Sequence, residues 1–355
     1  MAIRGQLCIM NNRVLVAMSG GVDSSVAAAL LLEQGFAVEG VTMKLTAGVC
    51  CDIASAQAVC GRLGIPHRMV DLQDEFEHTV IRNFIDEYRA GRTPNPCIRC
   101  NDILKFDKLL AFARANGFDH LATGHYALVE QDPDTSRFVL KKGIDGEKDQ
   151  SYFLYRLSQE QLRSVLFPLG ALRKAAVRTL AEERRLPSAK RPESQEICFV
   201  PDNDYRSFLR RHAPDVLREG EIVLTDGTVA GRHDGIALYT IGQRRGVGVA
   251  SRGRLYVIRI EPGRNRVVLG QRADLETRGM SVADARFVSG ERLGAPRRVD
   301  VKVRYRSMLV PAAIAPAEHG RISVHFDRPV AGVTPGQAAV FYDGDVVVGG
   351  GIIEG

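Results

Sequence analysis

The sequence lacks the features of a membrane or exported protein. No uncharged apolar run approaches the roughly 20 residues that span a bilayer. The segment from Met1 to Met10 contains no apolar core of the signal-peptide kind, so we expect no export signal and a cytoplasmic location. Internal repeats and low-complexity tracts are also missing. The content of 45% hydrophobic and 25% charged residues is typical of a soluble globular protein.

A disulfide framework is not expected either. The seven cysteines are odd in number, and two pairs lie at C-C and C-x-x-C spacing. In a chain of this size without an export signal, such spacing favours reactive or metal-binding thiols.

Positive charge is concentrated in one part of the chain. The net charge is +6, yet residues 251–310 alone carry 14 Lys/Arg and 6 Asp/Glu, a net of +8. A basic segment in an otherwise nearly neutral protein favours a polyanionic partner, although a solvated basic face would give the same composition.

The 355 residues predict two or three domains, and the sequence pattern changes along the chain. Up to about residue 124, strand-like and helix-like runs alternate; Gly35 is placed to end the helix Val26–Gln34, and longer helices are predicted at 74–90 and 102–116. This alternation predicts an α/β domain with a doubly wound parallel sheet.

From Gly220 onward, short β-type runs are broken by Gly, Asp-Gly and Pro at intervals typical of small barrels or sandwiches. We place boundaries near Asn203 and Asp274. The expected organisation is a catalytic domain (1–203), a small, mostly β central domain (204–273) and a C-terminal β-barrel (274–355).

The most distinctive local motif is Ser19-Gly20-Gly21-Val22-Asp23-Ser24-Ser25, between a strand-like run and a helix. Such a turn presents backbone N–H groups and the positive end of the helix dipole to an anion. Asp23 could hold Mg²⁺. Because the loop has no lysine at the Walker-A position, we do not expect γ-phosphate transfer. The motif resembles the pyrophosphatase loop of enzymes that split ATP between the α and β phosphates, which predicts adenylation of a substrate the loop does not identify.

A second motif, Arg92-Thr-Pro-Asn-Pro-Cys-Ile-Arg-Cys-Asn101, offers a candidate nucleophile. Asn101 or Asp102 is a plausible N-cap, which would put Cys100 at a helix start beside Arg99 and lower its thiol pKa. Cys198, in Glu193-Ser-Gln-Glu-Ile-Cys198, follows the basic stretch Arg184, Arg185, Lys190 and Arg191 but is weaker evidence. A packed or incidental thiol is the competing interpretation for Cys100.

Together these motifs identify a family. The sequence resembles the bacterial tRNA-specific 2-thiouridylases, within the ATP-pyrophosphatase superfamily, in an ordered set that covers essentially the whole chain. The matching stretches are AMSGGVDSS (17–25), GRTPNPCIRCN (91–101), LKF (104–106), ATGHYA (122–127), KDQSYFLY (148–155), SQEICF (194–199), YTIGQRRGVGV (239–249), VRYRS (303–307) and TPGQAAVFY (334–342).

The resemblance implies a fold, an activity and site residues. The N-terminal domain would be of the adenine nucleotide α-hydrolase (HUP-like) type. The implied ATP-binding residues are Ala17, Met18, Ser19, Gly20, Gly21, Val22, Asp23, Ser24, Met43 and Gly124. The implied tRNA-contacting residues are His125, Lys148, Asp149, Gln150, Tyr305, Arg306 and Gln337.

The implied reaction is ATP-dependent 2-thiolation of the wobble uridine of tRNAs for glutamate, glutamine and lysine. Uridine O2 is adenylated, sulfur comes from a Cys198 persulfide, and Cys100 acts as nucleophile and closes a transient disulfide with Cys198. A sulfur carrier or cysteine desulfurase would load Cys198, and an external reductant would reopen the disulfide.

One position departs from some family members: Cys97 stands where others have Asp. Cys97, Cys100 and Cys198 could therefore hold a [4Fe-4S] cluster, a hypothesis that we favour less than the persulfide route. Three further functions are favoured less by the sequence. They are an AMP-forming ligase or amidotransferase acting on a small substrate, a tRNA-binding protein without catalysis, and a zinc module built on Cys50, Cys51, Cys97 and Cys100.

Overall fold

The computed structural model describes residues 12–46, 52–192, 197–200, 203–250 and 253–354. The described residues form two compact units, one within residues 1–77 and 99–199 and the other within residues 78–98 and 200–355. The helices of the described residues are α1 (Val22–Glu33), α2 (Ile53–Leu63), α3 (Gln73–Phe76), α4 (Arg82–Arg89), α5 (Pro96–Arg99), α6 (Leu110–Ala115), α7 (Gln159–Ser164), α8 (Lys174–Glu183) and α9 (Tyr205–His212). Two π-helical segments, Glu77–Ile81 and Cys100–Leu109, connect α3 to α4 and α5 to α6.

The strands fall into three groups. In the first unit they are β1 (Arg13–Ala17), β2 (Ala37–Lys44), β3 (His67–Asp71), β4 (His120–Ala122), β5 (Ala127–Gln131), β6 (Phe138–Lys142) and β7 (Val165–Leu166). The second unit first forms β8 (Gly220–Leu224), β9 (Val229–His233), β10 (Tyr256–Glu261) and β11 (Arg266–Gly270). It then forms β12 (Glu276–Phe287), β13 (Arg297–Lys302), β14 (Val310–Pro316), β15 (Ile322–Ala331), β16 (Ala338–Asp343) and β17 (Val346–Ile353).

The first unit is built on a parallel sheet of order β3-β2-β1-β4-β7. Residues on both faces of the central strand β1 are fully buried: Val14 and Val16 pack with α1 and α2, and Leu15 lies on the opposite face. The chain leaves β1 toward β2 on one side and later adds β4 on the other. The carboxyl ends of β1 and β4 therefore flank a topological switch point, the usual ligand crevice of such sheets.

The second unit contains a four-stranded sheet and a closed barrel. The four-stranded sheet has the order β10-β11-β8-β9 and buries Ile222, Val257 and Val267. Strands β12 to β17 pair antiparallel in a ring, because β12 pairs with both β15 and β17. Alternate side chains such as those of Ala312 and Ile314 point into the barrel core.

The predicted fold class is confirmed: an α/β parallel sheet is followed by a small β region and a C-terminal barrel. Gly35 ends α1 as expected, at φ +88°. The first unit also contains an antiparallel hairpin, β5–β6. Within the described ranges, no helix is long and apolar enough to span a bilayer.

One helix begins earlier than predicted. The expected start at Asn101 or Asp102 is wrong, since the chain is already helical at Pro96 and the side-chain oxygen of Asn95 accepts a hydrogen bond from the Ile98 N–H at 3.3 Å. The physical reason is the Asn-Pro pair. Asn95 caps the helix, and proline suits the first helical position because that position needs no N–H donor.

A substitution at Gly170 tests the close packing of the first unit. A Cβ at Gly170 would lie 1.9 Å from the carbonyl oxygen of Ala127 in β5, so alanine forces the backbone of one of the two segments to move. We expect Gly170→Ala to lower the free energy of unfolding by about 1–3 kcal/mol, measured by chemical denaturation. Gly146→Ala, where no atom lies within 4 Å of the added carbon, is the matched control and should be nearly neutral. Equal stability of the two variants would contradict this packing.

Candidate active site

The glycine-rich turn joins β1 to α1 at the switch point of the parallel sheet. Gly20 has φ +79°, and Gly21 is the N-cap of α1 without any side-chain capping bond. The Ser24 and Ser25 hydroxyls donate to the Gly21 carbonyl at 3.2 and 2.8 Å, and the Ser19 Oγ accepts from the Gly21 N–H at 3.3 Å. These bonds fix the turn and leave its helix N-terminus suited to an anion.

Two glycines let neighbouring chain segments approach this turn. A Cβ at Gly20 would lie 2.7 Å from the Asp52 carbonyl oxygen, and one at Gly124 would lie 2.8 Å from the Ser24 nitrogen. Gly124 follows β4, so the structure brings it against the turn that follows β1. The two segments predicted to bind ATP thus meet at one edge of the sheet.

Met18 and Met43 lie beside the same edge. Both are buried, and the Thr42 hydroxyl donates to the Met18 carbonyl oxygen at 2.9 Å. Since the Met18 N–H also donates to the Val41 carbonyl at 2.8 Å, the end of β1 is fixed to β2 just before the turn begins. ATP binding by Ala17, Met18, Val22 and Met43 stays a prediction from the resemblance.

Asp23 is held by residues that the sequence did not single out. Lys174, at the start of α8, donates from Nζ to both carboxylate oxygens of Asp23 at 2.7 and 2.8 Å. The Tyr126 hydroxyl donates to the same carboxylate at 2.6 Å. Tyr126 belongs to the ATGHYA motif, but no sequence signal marks Lys174, which lies 151 residues from Asp23.

Arg191 connects the turn to α2. Its guanidinium donates to the Gly20 carbonyl at 3.0 Å and to the Asp52 carboxylate at 2.6 Å. Asp52 also caps α2 by accepting the Ser55 N–H at 2.9 Å. Hydrogen bonds from Ser55 and then Arg191 lower the pKa of Asp52. The sequence marked Arg191 only as part of a basic stretch.

The candidate thiols differ in exposure. Cys100 is buried, at 8% exposure, and begins the π-helical segment one turn after Pro96. Because the helix starts earlier than predicted, Cys97 and not Cys100 lies in its first turn. Cys97 and Cys198 are exposed. Phe199, next to Cys198, packs edge-to-face on Phe76 with ring centroids 5.5 Å apart.

Several thiols and acids named in the sequence motifs lie outside the described residues. These are Cys50, Cys51 and the stretch from Glu193 to Glu196. Among the residues that the structure describes, no group of three or more His, Cys, Asp or Glu side chains could hold a metal ion. The cluster and zinc hypotheses therefore gain no support from the described part of the chain.

Four residues predicted to contact tRNA lie in the first unit, and all four make internal hydrogen bonds; the Lys148 N–H donates to the Asp145 carbonyl at 3.0 Å. The Asp149 carboxylate is buried and accepts hydrogen bonds from the Gly143 and Ser151 N–H groups. The Gln150 side-chain oxygen accepts a hydrogen bond from the Tyr126 N–H, and the Gln150 N–H donates to the Tyr126 carbonyl. His125 is buried beside Phe106 and Phe167 and hydrogen bonds Thr123 at 2.7 Å. Lys148 is half-buried.

The second unit carries the other predicted RNA contacts. Arg306 is exposed, and Lys302 Nζ lies 5.6 Å from the ring centroid of half-buried Tyr305. Gln337 has an internal partner: its amide donates to the Thr93 and Pro94 carbonyls at 2.9 and 3.2 Å. It thus fixes the segment that leads to Pro96. No sequence pattern indicates this role.

Part of the basic charge predicted to attract a polyanion is used within the second unit. In the described part of residues 251–310, arginines that form ion pairs with acids of the same unit include Arg259, Arg264, Arg266, Arg297 and Arg298. The Gly-rich loop 241–249 differs, because Arg244 and Arg245 are exposed and Gln243 fixes the backbone beneath them by bonds to Thr240 and Arg206.

Comparisons with known proteins match three successive parts of the chain and also nearly its whole length. Three family models match: a tRNA methyl transferase HUP domain at residues 12–202, a tRNA methyl transferase PRC-barrel domain at 206–271 and an aminomethyltransferase beta-barrel domain at 277–353. The tRNA-specific 2-thiouridylase MnmA of Acetivibrio thermocellus is 46% identical, with 96% of this chain and 99% of the relative covered. MnmA 1 of Caldanaerobacter subterraneus subsp. tengcongensis is 48% identical (97% and 98% covered), and MnmA of Clostridioides difficile is 45% identical (97% and 99%).

The thiols should differ in alkylation rate. Burial raises the pKa of the Cys60 thiol to about 11, so its reactive thiolate is scarce below that pH. In the native protein near pH 8, we expect iodoacetamide to label Cys97 and Cys198 at least ~10-fold faster than Cys60, measured by peptide mass spectrometry. Labelling in denaturant, where this difference should vanish, is the control. Fast native labelling of Cys60 would refute its burial.

His125 should make stability depend on pH. Burial holds the pKa of His125 well below 6.5, so the folded state keeps this imidazole neutral while the unfolded chain protonates it below that pH. The contribution of His125 to the free energy of unfolding is therefore fully present above pH ~6.5 and decreases as the pH falls below that value. We expect the melting temperature of His125→Asn to fall less steeply between neutral and mildly acid pH than that of the wild type. His319→Asn, an exposed control, should follow the wild type; identical slopes for all three proteins would contradict the assignment.

Proposed function

This chain belongs to the tRNA-specific 2-thiouridylase family, and from that membership we propose that it catalyses ATP-dependent 2-thiolation of the wobble uridine in tRNA. The observation that carries the proposal is the glycine turn at the switch point between β1 and β4, within a chain that matches these relatives over nearly its whole length. The tRNA substrates we propose are those for glutamate, glutamine and lysine.

In the first proposed step, the turn binds the phosphates of ATP at the N-terminus of α1. Uridine O2 attacks the α-phosphate, pyrophosphate leaves, and the adenylated uridine becomes electrophilic at C2. The dipole and the N–H groups at the start of α1 favour the pyrophosphate charge as it develops. The uridine must leave its stack to react, which suits an anticodon-loop base.

The proposed sulfur steps use two thiols. The terminal sulfur of a Cys198 persulfide attacks C2, and AMP leaves with the C2–O bond electrons. The Cys100 thiolate then attacks the Cys198 sulfur, which releases 2-thiouridine and leaves a Cys100–Cys198 disulfide. An external dithiol reductant reopens it. Exposure of Cys198 supports loading by a sulfur carrier or cysteine desulfurase. We further propose that the reaction takes place in the cytoplasm.

Mg²⁺ would accompany ATP and neutralise its phosphate charge. The fit of Asp23 as a ligand is poor, because both of its carboxylate oxygens accept hydrogen bonds from Lys174. We therefore assign no step to a metal ion on Asp23.

Nucleoside mass spectrometry tests the reaction. Purified protein, unmodified tRNA, ATP and a persulfide donor with reductant should yield 2-thiouridine, whereas Cys100→Ser and Cys198→Ser should yield none because each lacks one sulfur of the proposed disulfide. Cys60→Ser is the matched thiol control and should retain activity. Unchanged uridine with active donor and wild-type protein would refute the proposal.

The same assay separates the competing functions. Pyrophosphate release that depends on a small carboxylate and not on tRNA would favour a ligase. Thiolation that requires iron and acid-labile sulfide would favour the cluster route through Cys97, Cys100 and Cys198.

A further inference from the structure

The carboxylate of Asp23 occupies a position that calls for a counter-charge. Asp23 lies in the first turn of α1, where the helix dipole favours anions, and its side chain is about one-third exposed. An uncompensated carboxylate there would repel the phosphates of a nucleotide bound at the same helix end, since like charges a few ångströms apart interact unfavourably in a partly buried site.

Lys174 supplies that counter-charge from a distant part of the sequence. Its side chain is only 9% exposed, and its Nζ lies 2.7 and 2.8 Å from the two carboxylate oxygens of Asp23. Its backbone N–H donates to Asp145 at 2.8 Å, which fixes the start of α8. The centroid of the Tyr126 ring lies 5.7 Å from the Lys174 ammonium, and the Tyr126 hydroxyl donates a hydrogen bond to Asp23. Tyr126 therefore contacts both members of the ion pair.

We propose that Lys174 is the counter-cation of the nucleotide loop. It neutralises the charge of Asp23, so the turn can bind a nucleoside triphosphate without a metal ion on that carboxylate. The loop sequence has no lysine of its own, and α8 provides one in its place. Lys174 is a positioning residue that acts through Asp23. This inference rests on the proposed binding of ATP at the loop.

Metal-free nucleotide binding distinguishes this role from a merely structural ion pair. In excess EDTA, calorimetry should show that Lys174→Met binds ATP at least ~10-fold more weakly than the wild type, equivalent to about 1.4 kcal/mol. Saturating Mg²⁺ should restore most of the loss, because Mg²⁺ can then neutralise the exposed carboxylate. Lys174→Arg should bind nearly as the wild type does in EDTA.

The double variant Asp23→Asn with Lys174→Met provides the sharpest comparison. It removes both charges, so its affinity in EDTA should recover toward that of the wild type, which a loss of structure would not produce. Lys141→Met, a half-buried lysine of β6 paired with Glu130, is the matched control and should bind as the wild type does. Thermal melting verifies that each variant is folded.

Two results would overturn the inference. One is equal ATP affinity of Lys174→Met and the wild type in EDTA. The other is a loss that neither Mg²⁺ nor the second substitution reverses. In either case the wild type still binds ATP, so the proposed function survives. A wild type that binds no ATP under either condition would overturn both.

Discussion

The charge balance at the start of α1 is the constraint on which the nucleotide loop depends. A helix end without a side-chain cap attracts an anion, and the carboxylate of Asp23 beside it opposes that attraction unless it is neutralised. Lys174 and Tyr126 bind this carboxylate from other parts of the first unit. The arrangement also needs Gly20 and Gly124, because a side chain at either position would push a neighbouring segment away from the turn. Both the backbone conformation of the turn and its charge therefore depend on contacts with other segments of the first unit.

The thiol chemistry depends on where one helix begins. Asn95 and Pro96 start it a full turn before Cys100, which places this cysteine at the beginning of a π-helical segment and not at a dipole end. Its proposed role as a nucleophile therefore rests on family membership. Cys198 is exposed, which is compatible with the proposed loading by a protein donor.

The residues that resemble RNA contacts divide into two kinds. Arg306, Arg244 and Arg245 present charge to solvent, as binding of a phosphate backbone requires. Gln337 and Asp149, by contrast, use their polar groups to fix the chain: Gln337 bonds the segment before Pro96, and Asp149 bonds the loop after β6. The residues that the resemblance marks as RNA contacts thus include both exposed charges and side chains with internal hydrogen bonds.

The sequence by itself determined the α/β class, the β-rich second half, the glycine turn and the family, because these depend on local periodicity and on ordered motifs. The start of α5 was also within its reach, since Asn-Pro is a local signal for a helix beginning. Only the tertiary structure decided that Lys174 pairs with Asp23 and that Arg191 bonds Gly20. These contacts join residues 151 and 171 positions apart, and no local pattern records such a meeting. It also decided that His125 is buried, because burial is a property of the packed chain.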